Sequence, residues 1–197
     1  MSTIKTTNIT HGSNSGTNNL ILASDGKVSV ATGKLYCPGT IIQVVSTVKT
    51  DSNSMDVSAN TWSTLGVSNY TVNITPTAAS SKVYISGFVN VSREGAGYIF
   101  LQLTKGGSAL DAATGDAASN RPRATAAGSV GDVAQLDTIH FQYLDSPSST
   151  SQQSYSVLLR HDSGSAKHIT MNQSYENTDN TYQPRGISVI TAMEIAA

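Results

Sequence analysis

Four histidines, a cluster of tyrosines in one polar stretch and scattered aspartates are what this chain offers for chemistry. The stretch His161-Asp-Ser-Gly-Ser-Ala-Lys-His168 reads as a hairpin. A two-residue loop at Gly164-Ser165 would set His161 and His168 opposite each other on neighbouring strands. Opposed strand residues have Cβ atoms about 4.5–5.5 Å apart, close enough for two imidazoles to share a metal ion. Strand alternation turns Asp162 to the other face, so a third ligand is missing, and structural zinc takes four. Two stacked, exposed imidazoles are the expectation. A His161–His168 metal site is the speculative alternative, and no cofactor is implied.

A second set is Tyr175, Asn177, Asp179, Tyr182 and Arg185, all within residues 172–185. Tyrosine offers a flat face at little rotamer cost, and the polar members can bond hydroxyl groups. Loops held on a rigid scaffold are common binding sites, so these five are the candidate receptor- or glycan-binding residues. The bland alternative has the tyrosines capping the sheet end or packing between protomers. Arg121 and Arg123 flank Pro122, where pairing with Asp111 or Asp116 would pin a long loop. Cys37 is the sole cysteine and reads as a small residue buried in or near a strand. Trp62 reads as partly buried core.

Catalysis finds little support. No serine sits in a Gly-x-Ser-x-Gly elbow, and no phosphate loop or dinucleotide fingerprint occurs. The aspartates fall mainly in turns, where they bond the local backbone. The expectation is a protein that is not an enzyme.

The elements that must position these residues read as strands. Charged residues make up 13% of the chain and hydrophobic ones 38%, with a formal net charge of −1. This much hydrophobicity with so little net charge argues against disorder, and the missing basic stripe argues against nucleic acid. No apolar run is long enough to span a membrane. The N-terminus lacks a signal-peptide core, so synthesis in a cytoplasm is expected. Period-two patterns recur at 40–50, 70–75, 82–91, 98–104, 135–144, 155–161, 167–171 and 186–195, with a weaker one at 60–65. On 82–91 the apolar face is Val83, Ile85, Gly87, Val89 and Val91; on 186–195 it is Ile187, Val189, Met193 and Ile195. Residues 105–134 read as a long loop, as do 172–185. The chain ends on a strand, which reads as a natural stop. Together this predicts an all-β, antiparallel, jelly-roll-like β-sandwich over residues 36–197.

Residues 1–35 read as an extended arm and a hairpin. Asp25-Gly26 between two apolar runs is a strong hairpin signal, with a type I′ turn expected. An isolated hairpin is marginal in water. Copies wrapped about an axis would cover Leu20, Leu22, Val28 and Val30, the candidate trimer interface.

Two groups of segments resemble proteins of tailed bacteriophages, especially marine phages of cyanobacteria. Asn19 to Gly33 resembles the repeating units of tail-fibre shafts. Pro38 to Asp51, Ile74 to Val83, Gly115 to Arg121, Tyr143 to Pro147 and Ile190 to Ile195 follow in an order similar to the C-terminal domains of phage fibre proteins. The resemblance implies a homotrimeric β-sandwich on the virion surface, at the tail or the capsid. It also implies contact with other virion proteins through the N-terminal arm and with a host-cell glycan. Alternatives are a purely architectural decoration or connector protein and, third, a polysaccharide depolymerase.

Overall fold

The computed structural model describes residues 8–9, 20–30, 37–64 and 69–197, and the side chains of these except at 8, 9, 29 and 30. Fourteen strands and one short 3-10 turn are described, and they form three antiparallel sheets. The small sheet joins β1 (Asn8–Ile9), β2 (Leu20–Leu22) and β3 (Val28–Val30). Most of the expected N-terminal arm and the boundary near Leu35 lie outside the described residues.

The hairpin at Asp25-Gly26 is present, but its turn is not type I′. Ala23 O accepts from Gly26 N–H at 3.1 Å, and Ala23 N–H donates to Lys27 O at 2.9 Å. Positive φ is confined to Gly26 at 82°. This is a three-residue loop, a type I turn closed by a left-handed glycine. The register pairs Leu20 with Val30 and Leu22 with Val28.

The sandwich begins at a tight turn. Thr40 N–H donates to Cys37 O, and Gly39 takes φ 86°, the type II geometry that Pro-Gly favours. Cys37 is exposed there rather than buried, because the turn holds it at the surface. The strands that follow are β4 (Ile41–Lys49), β5 (Asn53–Val57), β6 (Val72–Ile74), β7 (Lys82–Arg93), β8 (Gly97–Lys105) and β9 (Ser108–Ala109). The rest are β10 (Ala126–Val130), β11 (Asp137–Asp145), β12 (Gln153–His161), β13 (Lys167–Met171) and β14 (Ser188–Ile195).

One sheet runs β10-β8-β12-β6, with β9 beside β8. The other runs β4-β14-β7-β13-β5, with β11 also on β7. Val91 has Asp137 on one side and Met171 on the other, so β11 holds one edge of β7 while β14 and β13 share the opposite edge. The two sheets enclose one core. Val83, Ile85, Val89, Val91, Ile169 and Ile190 come from one sheet; Ile99, Leu101, Leu103, Val157 and Leu159 come from the other. Each such side chain contributes about 1.5–3 kcal/mol when fully buried.

The expected face of β7 is the buried one. That of β14 is reversed: Ser188, Ile190, Ala192 and Glu194 point inward, while Ile187, ahead of the strand, is exposed and Val189, Met193 and Ile195 are half-buried. Residues 105–134 are not a structureless loop. They contain β9, a 3-10 turn at Asp111–Ala113 and β10, which pairs with β8. The weak strand at 60–65 is instead an isolated bridge from Ser63 to Leu159, and the neighbouring strand is β5; residue 65 lies outside the described residues.

Candidate functional site

His161 and His168 do not form a pair. The chain leaves β12 in one sheet and enters β13 in the other, so the expected hairpin is a crossover. His161 faces Ile99 in the register, and His168 faces Asp56. His161 is fully buried. Its Nδ1 accepts from Ser163 N–H at 3.1 Å, which leaves Nε2–H to donate to Val57 O at 2.8 Å. Asp162 turns away, as alternation requires, and its carboxylate pairs with the buried Arg93. Burial raises the Asp162 pKa, but the Arg93 bond and charge outweigh it and hold the carboxyl below its usual range. Among the described residues no group of three or more His, Cys, Asp or Glu is placed to hold a metal.

The loop over residues 172–185 is tied down at its base. Asn172 is buried in the left-handed region at φ 62°, which asparagine tolerates better than most residues. Its Nδ2 donates to Lys49 O and Asp51 O, both at 2.9 Å, and its Oδ1 accepts from Ser188 Oγ at 2.6 Å. At the other end, Arg185 Nη1 donates to Gln173 Oε1 at 2.8 Å and to Ser52 Oγ at 2.9 Å, beside a Gln173–Arg185 bridge. Within the loop, Gln183 Oε1 accepts from Thr178 N and Oγ1, and Gln183 Nε2 donates to Glu176 Oε2. Hydrogen bonds thus tie this loop at its base and across its middle.

The five candidate residues fall in three places. Asn177, Asp179 and Arg185 line a polar cleft of about 300 Å³ with Thr178, Asn180 and Gln183. Tyr175 lines a separate depression of about 490 Å³ with Asp56, Glu94, His168 and Glu176. There the Tyr175 ring meets His168 edge-on at 5.7 Å, and His168 Nδ1 lies 2.9 Å from Asp56 Oδ1. Tyr182 lines neither depression and stands 63% exposed. Asp56 comes from β5 and Glu94 from the bend just past β7, and spacing alone could not have joined them to Tyr175. Arg123 pins its loop as expected, but through the carbonyls of Gly115 and Asp111 rather than through a carboxylate. Trp62 is half-buried. In the hairpin, Leu20 and Leu22 are half-buried and Val28 is exposed, while the Val30 side chain lies outside the described residues.

No family model and no curated protein matches the sequence. Among solved structures the chain is similar to an infectious bursal disease virus Gx strain protein, at TM-score 0.38 and 12% identity over 86% of this chain and 40% of that one. The Gt strain gives TM-score 0.39 and 10% identity over 96% of this chain and 47% of that one. Eiger TNF from S. frugiperda gives TM-score 0.34 and 12% identity over 81% and 94%. The chain thus spans less than half the length of the viral proteins it overlaps. Likenesses this loose assign neither family nor function.

Proposed function

We propose that this chain is a structural protein of a tailed-phage virion, forming a trimeric fibre or spike that touches a host-surface glycan through the loop at 172–185. Its support is the ordered set of phage-like segments on a rigid β-sandwich. The observation that carries the host contact is the pre-shaped loop with its two polar depressions. A loop already held by Asn172, Gln183 and Arg185 loses little freedom on binding. Tyr175 and the exposed Tyr182 supply ring faces; Asn177, Asp179 and Glu176 supply partners for sugar hydroxyls.

One observation favours a purely architectural role. Three of the phage-like segments meet at Glu194 in the interior, and none of them contains the loop at 172–185. Gold-labelled antibody against the folded protein separates these readings on intact particles. Labelled particles whose adsorption the antibody blocks are the expected result. Labelled particles that adsorb normally favour architecture, and unlabelled particles overturn the virion assignment.

A further inference from the structure

We propose that the outer face of β4, β14, β7 and β11, within the six-stranded sheet, is where three copies of this chain meet around a common axis. This deepens the trimer reading above by naming its surface, and moves the contact away from the Leu20–Val30 hairpin.

The register lays that face out in rows across β4, β14, β7 and β11. Val48, Val189, Phe88 and His140 form one row. Ser46, Thr191, Ser86 and Gln142 form the next, and Val44, Met193, Tyr84 and Leu144 the third. Two mainly apolar rows thus flank one polar row. None of these side chains is a carboxylate, amine or guanidinium. Val44 is 55% exposed, Val48 52% and Leu144 44%. A solvated sheet face normally turns polar residues outward. A contiguous apolar face this open marks a contact surface.

The polar row bonds largely within itself and to its neighbours. Ser46 Oγ and Thr191 Oγ1 lie 2.9 Å apart, and Tyr84 Oη donates to Gln142 Oε1 at 2.7 Å. Three of the four side chains in this row thus hold a bond, which lowers the cost of taking them out of water. An open depression of about 690 Å³ has Ser86, Phe88, His140, Gln142, Val189 and Thr191 in its lining, so the face is also concave in part.

Charge and size point to copies of the same chain. A partner with a charged surface would find only Lys82, beside Ile195 at one end, whereas identical faces meet no like-charge repulsion across the three rows. Four strands about 4.8 Å apart span roughly 19 Å, and nine residues of β14 and its approach span about 30 Å. Their product is roughly 570 Å² of flat area, counting Ile187 and the Ile195–Lys82 pair beyond the three rows, against about 800 Å² per partner in a standard interface. Three faces about 19 Å wide, set as a triangle, lie about 5.5 Å from its centre. That is close to half the roughly 10 Å separation at which sheets pack.

The test is the solution mass of the full chain by light scattering. Wild type should give about three times 20.6 kDa. Val44→Arg and Leu144→Arg, at the two sides of the face, should each lower the mass threefold with the β-sheet circular dichroism intact. Both sites are already open in the protomer, so arginine leaves its packing alone. Val48→Thr, which nearly conserves shape, should raise the concentration at which trimers dissociate. Tyr98→Arg on the opposite sheet and Val28→Arg in the hairpin should stay trimeric. A wild-type mass of one or two chains overturns the proposal. So do trimers that survive both face substitutions, or dissociation caused by Val28→Arg alone, which would return the contact to the hairpin.

Discussion

Thr77 binds Glu194 twice: its backbone N–H and its hydroxyl both donate to Glu194 Oε1 at 2.7 Å. Gln43 Nε2 donates to the second oxygen at 2.5 Å, and the Ser81 hydroxyl adds a further bond. Glu194 sits on the inward face of β14 with no exposed surface. Gln43 belongs to the segment beginning at Pro38, Thr77 and Ser81 to that from Ile74 to Val83, and Glu194 to the last strand. What these three segments share is therefore a lock on the sandwich. Hydrogen bonds to a charged group contribute about 1.5–3 kcal/mol, and unpaired buried donors cost a similar amount. Glu194→Ala should lower unfolding free energy by about 3 kcal/mol in urea titration, and Glu194→Gln by somewhat less.

The same carboxylate makes stability depend on pH. Burial alone would raise its pKa, but the bonds from Gln43, Ser81 and Thr77 outweigh that and hold it below the ordinary glutamate value. A depressed folded-state pKa means that the unfolded chain takes up the proton first. The stabilisation is complete above the unfolded-state value of about 4.3 and is lost as pH falls through the lower folded-state value. Wild type should lose stability over that acidic window. Glu194→Gln should show a shallower decline there, and parallel curves would contradict this assignment.

Gly87 lies on the inward face of β7, and a Cβ there would stand 2.4 Å from Val189 O and 2.7 Å from the Phe141 ring. Gly87→Ala should cost about 1–3 kcal/mol through overpacking. Trimming the ring in Gly87→Ala/Phe141→Leu should cost less than the two single changes added together, if Phe141 is the obstacle.

Tyr70 ties a loop to the six-stranded sheet. Its hydroxyl lies 3.0 Å from Phe88 O and 2.9 Å from Val189 O, which are register partners, and burial drives its pKa well above the usual tyrosine value. Tyr70→Phe should cost about 1 kcal/mol in thermal or urea unfolding, because it removes the one hydroxyl hydrogen that these two carbonyls share.

His161 and His168 serve separate sheets, so metal removal should have no structural effect. A chelator should leave the melting temperature unchanged. A fall on chelation, restored by zinc, would contradict the geometry found here.

The strand positions were largely legible, because alternation is strong wherever one face is core and the other wet. Val83, Ile85, Val89 and Val91 show this on β7, and Ile99, Leu101 and Leu103 on β8. The rule failed on β14, because its outward face is apolar too. Ile187, Val189 and Met193 outnumber the inward Ile190 and Ala192, and the buried Glu194 argued for the wrong side. β10 and β5 were missed, since Ala-Ala-Gly-Ser-Val and Asn-Ser-Met-Asp-Val carry little β propensity; both lie at sheet edges. The histidine hairpin failed for a topological reason. A short polar link suits a crossing between sheets as well as a turn within one. Of the loop site, the polar character of residues 172–185 was visible, but not its division between two depressions.

Adsorption of phage particles to host cells, in competition with purified protein, tests the central claim most directly. Wild-type protein should block adsorption, and Asp179→Ala and Tyr182→Ala should each need at least about tenfold more protein to do so, since a trimer loses the same contact three times. Full adsorption in the presence of saturating wild-type protein, or equal blocking by all three proteins, would contradict host contact through this loop.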